Sequence, residues 1–216
     1  MARTAVGVPP LLARKGIRVL RPRDAGDVYE HPRAEFARLT RRGALRRLAT
    51  GYYALVPQER IEDGRWIPGI EAVALGIGQA DYGTSSVALM GISAARRHGA
   101  IPRAISLGVV AVPKQRLVLR TEIGPVIFVK RDVDRLDLER VATPLATGWM
   151  TTLEQTMLDL ASRLGLGDVS SSDVEEAIKA LAMRADWDRM TALAKDQHRP
   201  AALATAAQLA GRDAAA

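Results

Sequence analysis

The stretch of this 216-residue chain with the most evident chemistry runs from Arg33 to Arg47 and holds Arg33, Arg38, Arg41, Arg42, Arg46 and Arg47. Guanidinium groups present a rigid fork of donors that matches phosphate oxygens and guanine edges. At helical spacing, Arg33, Ala37 and Arg41 form one row, with Ala34, Arg38 and Arg42 beside it. A face that alternates long cations with alanines lets a helix lie close to DNA while its arginines reach phosphates or base edges. The competing reading is a solvated amphipathic helix. Gly43 as a stop and the basic run Leu45–Val56 after it weigh towards DNA.

Other chemistry is sparse. Asp132-Val-Asp134 is a carboxylate pair on alternate residues with Lys130 nearby. Such a pair could hold Mg²⁺ for phosphoryl or nucleotidyl transfer. It also runs straight into Arg135, Asp137, Glu139 and Arg140, which favours a solvated turn of ion pairs. Ser85, Ser86 and Ser93 have no base near them in sequence except His98, and Ser93 and His98 are badly spaced to meet on one helical face. The histidines stand far apart, at 31, 98 and 198, without metal-ligand spacing. His31 reads as a capping or surface residue. There is no phosphate-binding glycine loop, nucleophile elbow or paired-histidine zinc motif. No catalytic residue, metal or cofactor is therefore expected, and an enzyme is the less favoured class.

The absence of cysteine excludes disulfides, thiolate nucleophiles and cysteine-ligated metals. With 48% hydrophobic and 25% charged residues, the composition is that of an ordinary globular chain. Met1–Pro10 has one arginine and no long apolar core, so no secretory signal is expected, and no run is long enough for a membrane helix. A cytoplasmic protein without a membrane partner is the expectation. The charge is unevenly placed. Residues 1–60 carry 13 basic and 5 acidic side chains, 13 − 5 = +8, while residues 61–216 carry 18 and 19, giving −1. A polyanion-binding module joined to a near-neutral body follows from that asymmetry.

The elements that would position these residues can be read from punctuation and periodicity. Val8–Lys15 and Arg21–Asp27 read as short helices, with a possible strand at Ile17–Leu20. His31–Gly43 reads as a helix with Pro32 in its first turn, Gly43 at its end, and Phe36 and Leu39 inward. Leu45–Val56 reads as two strands joined by a turn at Ala49–Gly51. Helix, turn, helix and hairpin is the winged helix-turn-helix order. Pro57–Gly64 reads as a linker, which divides the chain into a DNA-binding domain at 1–60 and a larger domain at 61–216. In the larger domain, helices are expected at Ile67–Gln79, Ser85–His98 and Thr152–Leu164. Strands are expected at Ile105–Pro113, Arg116–Arg120, Val126–Arg131 and Leu138–Ala142. The helical tail comprises Ser172–Arg184, Trp187–Asp196 and Pro200–Gly211, with a frayed end at Asp213–Ala216. The expected class is mixed α/β: a winged helix-turn-helix followed by a small sheet packed with helices.

Three stretches resemble AbiEi-type antitoxins of type IV toxin–antitoxin systems. Glu35-Phe-Ala-Arg-Leu-Thr-Arg-Arg-Gly-Ala-Leu-Arg-Arg-Leu-Ala-Thr-Gly-Tyr-Tyr-Ala-Leu-Val-Pro57 is similar to that family's N-terminal winged helix. Ala88-Leu-Met-Gly-Ile-Ser-Ala-Ala-Arg-Arg-His-Gly-Ala-Ile-Pro102 is similar to the start of its C-terminal domain. Thr151-Thr-Leu-Glu-Gln-Thr-Met-Leu-Asp-Leu-Ala161 is similar to a later helix, with Leu153 where the family commonly has proline. Together they span about residues 30–165. The resemblance implies an antitoxin that opposes a nucleotidyltransferase-like toxin and represses its own operon, with promoter inverted repeats and the toxin as partners. On matching positions it implies DNA contacts at Arg38, Arg41, Arg42, Arg46 and Arg47, while Arg33 joins them from helical geometry. A partner-facing patch is placed at Ser93, Arg96, Arg97 and His98, against the competing reading of a helix end whose small residues merely pack. Two other functions remain open: a winged-helix transcription regulator with a ligand-sensing or dimerising domain, and an enzyme using Asp132 and Asp134.

Overall fold

In a computed structural model, the protein is described over residues 16–62, 64–101, 106–166 and 169–212. The expected helix at Val8–Lys15 and the frayed end at Asp213–Ala216 lie outside the described residues. The architecture is mixed α/β, with two sheets.

The first sheet is small and antiparallel. It contains β1 (Val19–Leu20), β2 (Leu45–Ala49) and β3 (Tyr52–Leu55) in the order β1-β3-β2. Between β1 and β2, the expected helix at Arg21–Asp27 is only a 3₁₀ turn, Pro22–Asp24, and α1 (Pro32–Arg41) follows it. Pro32 occupies the first turn of α1. The chain leaves α1 through Gly43 at φ +76 and turns between β2 and β3 through Gly51 at φ +84, both left-handed conformations that favour glycine. Phe36 and Leu39 are buried, and Phe36 meets Tyr53 edge-to-face with ring centroids 5.2 Å apart.

The second sheet has six strands: β4 (Ala88–Leu89), β5 (Gly108–Val112), β6 (Leu119–Arg120), β7 (Pro125–Lys130), β8 (Leu138–Ala142) and β9 (Thr147–Thr151). Their order is β6-β7-β5-β4-β9-β8. β5 and β7 run parallel, as do β4 and β9, while the β4–β5 junction at the centre is antiparallel. The five residues of β5 are all buried, because both faces of the sheet are covered. Val109 and Ala111 point into a core shared with α3 (Gly91–Arg97), α4 (Leu153–Ser162), α5 (Ser171–Ala182), α6 (Trp187–Asp196) and α7 (Pro200–Leu209). Val110 and Val112 point the other way, towards α2 (Ile70–Tyr82) and the first sheet.

Two expectations need correction. Ser85–His98 is not one helix. Residues 85–87 are loop, β4 is a strand of the sheet, and Gly91 at φ +54 marks the break before the short α3. A brief apolar run inside a sheet buried on both faces cannot be told from buried helix by its periodicity. Thr147–Thr151 is a strand, β9, where no strand was expected. Its Gly148 weakened the pattern, and a methyl group there would force Gln79 Nε2 to shift.

The 1–60 boundary falls in a 3₁₀ turn at Gln58–Arg60. The core, however, is continuous across it. Val19, Leu48 and Ala54 of the first sheet belong to the same buried cluster as Val73, Ile77, Val110 and Phe128. Backbone bonds also cross: Arg18 N–H donates to Leu145 O at 2.9 Å, and Glu122 N–H to Leu48 O at 2.8 Å. α2 lies between the two sheets and is buried over Ile70–Gln79, rather than on one face only.

Candidate functional site

The arginines between 33 and 47 do not form one uniform set. Arg33, Arg41, Arg42 and Arg47 are exposed. Arg47 Nη2 donates to Thr50 Oγ1 at 3.1 Å, which steadies it against the β2–β3 turn. Arg38 folds back one turn and donates through Nε to Glu35 Oε2 at 2.9 Å. Arg46 departs from the expected DNA-facing group. Its Nη1 donates to Trp66 O at 3.1 Å and its Nε is buried without an acceptor, so the side chain lies against the segment just after the linker. Strand alternation explains the difference, because neighbours on β2 point to opposite faces.

The N-terminus of α1 and the β2–β3 turn face each other across a cleft of about 660 Å³ lined by Arg21, Arg23, His31, Arg33, Thr50 and Gly51, among others. His31 is exposed and gives α1 no side-chain cap. The cleft's inner wall is braced by Asp81 near the end of α2. One Asp81 oxygen accepts from Arg21 Nη1 at 2.5 Å and Arg23 Nη2 at 3.2 Å. The other accepts from Tyr52 OH at 2.7 Å and pairs with Arg116. Burial, reinforced by the bond to Asp81, pushes the Tyr52 phenol above its ordinary pKa. The Asp81 carboxylate, 8% exposed, thus gathers side chains from the first sheet and from the loop before β6. Nothing local in the sequence announces it.

The four residues proposed as a partner-facing patch are largely committed inside the protein. Ser93 is 1% exposed, and its hydroxyl accepts from Val109 N–H at 2.8 Å, so it fastens α3 to β5 and is not presented to a partner. Arg96 pairs with the buried Glu71 at 3.2 Å. His98 Nε2 lies 2.9 Å from Thr151 O, its side chain only 10% exposed. Arg97 is exposed and donates to Ala142 O at 3.3 Å.

Asp132 and Asp134 form a solvated turn. Asp132 accepts from Asp134 N–H at 3.3 Å and lies 3.6 Å from Arg135. Among the described residues, no group of three acidic or histidine side chains is arranged to hold a metal ion.

The Thr151–Ala161 motif turns out to be a polar core. Thr152 caps α4, its hydroxyl accepting from Gln155 N–H at 3.4 Å and donating to Asp137 at 2.7 Å. Glu154 accepts from Asp186 N–H at 3.0 Å, and Gln155 from Asp137 N–H at 3.2 Å. Asp159, wholly buried, pairs with Arg199 at 2.8 Å. Burial raises its pKa, and Arg199 opposes that rise. This helix's cap and apolar face are legible in the sequence, but its buried charge is not. Its partner lies 40 residues away.

No protein-family model matches this chain. No curated protein matches it either. Among the described residues, no helix is long and apolar enough to cross a membrane.

Proposed function

We propose that this protein is a DNA-binding antitoxin of the AbiEi kind. Its N-terminal residues act as a winged helix on promoter DNA, and its larger domain opposes a nucleotidyltransferase-like toxin. The observation that carries the DNA-binding half is the exposure of Arg33, Arg41, Arg42 and Arg47 on α1 and the hairpin after it, in the part of the chain that holds the excess positive charge. Phosphate contacts from such residues supply sequence-independent affinity and set the register on the duplex. The antitoxin half rests on the three-motif resemblance.

The test uses the full chain, because Val19, Leu48 and Ala54 tie the N-terminal sheet into the larger core and truncation at residue 60 would expose it. The product of the neighbouring gene is induced with either the wild type or the quadruple variant Arg33→Ala, Arg41→Ala, Arg42→Ala, Arg47→Ala. Both are expected to restore growth, and only the wild type to repress a promoter fusion. Failure of the well-expressed wild type to restore growth removes the antitoxin reading. Equal repression by the two proteins removes the DNA-binding face. A second reading, a transcription regulator whose larger domain senses a ligand, draws on the two cavities beside Arg131. It predicts that the adjacent reading frame does not encode a nucleotidyltransferase-like protein.

A further inference from the structure

We propose that the larger domain carries a binding site for a phosphorylated small molecule, its phosphate seated on Arg131 where two cavities adjoin. Arg131 directly follows β7. Its Nε is buried without an acceptor, and its guanidinium makes no hydrogen bond or ion pair with any described residue. Burial holds its pKa below the usual arginine value. Asp159 opposes that shift, and the like charges of Arg199 and Arg163 add to it. The nearest buried carboxylate, Asp159, attracts Arg131 through space without bonding to it: Asp159 Oδ1 is taken by Arg199 at 2.8 Å and Oδ2 is buried without a partner. The rest of the half-buried guanidinium has no partner among the described residues and reaches solvent, and a phosphate can accept from such a fork with charge-assisted bonds.

The space around Arg131 suits that role. On one side is a cavity of about 690 Å³, walled also by Gln197 and Arg199. On the other is one of about 380 Å³, walled also by Ser85, Ser86 and Lys130. Both volumes lie within the range of small-molecule sites. The second cavity offers hydroxyls and an ammonium as further phosphate donors. Asp132 and Asp134 line both cavities, and Asp196 lines the larger; all three are exposed. Carboxylates lining the cavities beside the cations repel a continuous phosphodiester strand. They admit a compact ligand whose hydroxyls or bound cation can meet them. This site lies apart from the α1 arginines and does not rest on the antitoxin reading.

Thermal unfolding of the full chain tests the site, with inorganic phosphate, AMP or chloride at matched ionic strength. A ligand that binds only the folded state, at about a hundred times its Kd, raises the Tm by roughly 5–10 °C. The wild type is expected to gain such a shift over chloride. Arg131→Gln is expected to weaken binding roughly tenfold or more, with loss of about half of the shift or more. Arg131→Lys, which keeps the charge without the fork, is expected to retain part of it and provides the comparison if the glutamine variant does not fold. A larger shift with AMP than with phosphate identifies a nucleotide ligand, and equal shifts identify phosphate alone. No wild-type shift with either compound, or an undiminished shift in the variants, overturns the proposal.

Discussion

Replacing Arg199 with methionine tests how the helical tail is held to the sheet. Arg199 stands at the start of α7 and reaches across to α4, where Nη1 meets Asp159 Oδ1 at 2.8 Å and Nη2 meets Leu158 O at 2.9 Å and Ser162 Oγ at 2.6 Å. The Asp159 side chain is fully buried and that of Arg199 is 16% exposed, so solvent screens the pair little. Methionine preserves much of the volume and removes the charge. Asp159 then remains buried with only the more distant charge of Arg131 and the Gln155 bond to balance it, at a cost of about 3–5 kcal/mol. For a chain of this length that is a fall in Tm of roughly 6–20 °C.

The loss also depends on pH, with a definite sign. The Asp159 pKa is raised in the folded protein, first by burial, and removing Arg199 deletes the main opposing cause. Below the unfolded aspartate value of about 3.9, the carboxyl is protonated in both states and carries no penalty. As pH rises from there, the unfolded chain ionises first, and stability falls until pH passes the folded pKa. The variant's folded pKa is higher still, so its deficit relative to wild type widens from acid towards neutral pH. Chemical denaturation at pH 4.5, 6 and 7.5 reads this directly. The double variant Asp159→Asn with Arg199→Met is expected to recover much of the loss. A deficit below about 1 kcal/mol that is flat in pH, or a double variant no better than the single, refutes the ion-pair account.

The remaining predictions concern surface and junction. Neutralising Arg33, Arg41, Arg42 and Arg47 together is expected to lower the slope of log K against log salt by up to about 3.6, roughly 150-fold in affinity ratio between 50 and 200 mM salt, in a fluorescence-anisotropy titration. Arg46→Ala is expected to leave that slope nearly unchanged, because its guanidinium is turned to Trp66. Asp81→Ala leaves Arg21, Arg23 and Arg116 clustered without their shared acceptor; a loss of about 2–4 kcal/mol is expected by denaturant titration, and an effect within 0.5 kcal/mol would show that the junction is held by the apolar core alone. Ser93→Ala strands the buried Val109 N–H and is expected to cost about 1–3 kcal/mol, with growth rescue intact wherever the protein still folds. Gly148→Ala drives a methyl into Gln79 and is expected to cost about 1–3 kcal/mol, read as a Tm shift.

What the sequence made legible was what is local. α1 and the hairpin after it follow from Pro32, Gly43, Gly51 and the Phe36–Leu39 spacing, all within a few residues of what they determine. The tail helices follow in the same way from their apolar faces, and β5 and β7 from β-branched runs. The β4–β9 pair was not legible. Each strand is short, and what makes them strands is the pairing of Ala88 with Trp149 and Leu89 with Met150 across some sixty residues. The candidate site divides along the same line. That arginines cluster on one helix could be read from spacing, but which of them reach solvent could not. Glu35 claims Arg38 from one turn away and Trp66 claims Arg46 from twenty residues on. Asp81, which joins Arg21, Arg23, Tyr52 and Arg116, gives no local signal at all, since its role exists only once the two sheets meet. This junction also sets how DNA binding would be felt elsewhere. The strands beside α1 share their core with α2 and the larger sheet, so the exposed arginines ride on a body continuous with the toxin-opposing domain proposed here, not on a tethered module. Any coupling between the exposed arginines and the larger domain would therefore run through the packing of Val19, Leu48 and Ala54 and the charges gathered on Asp81 rather than through a linker.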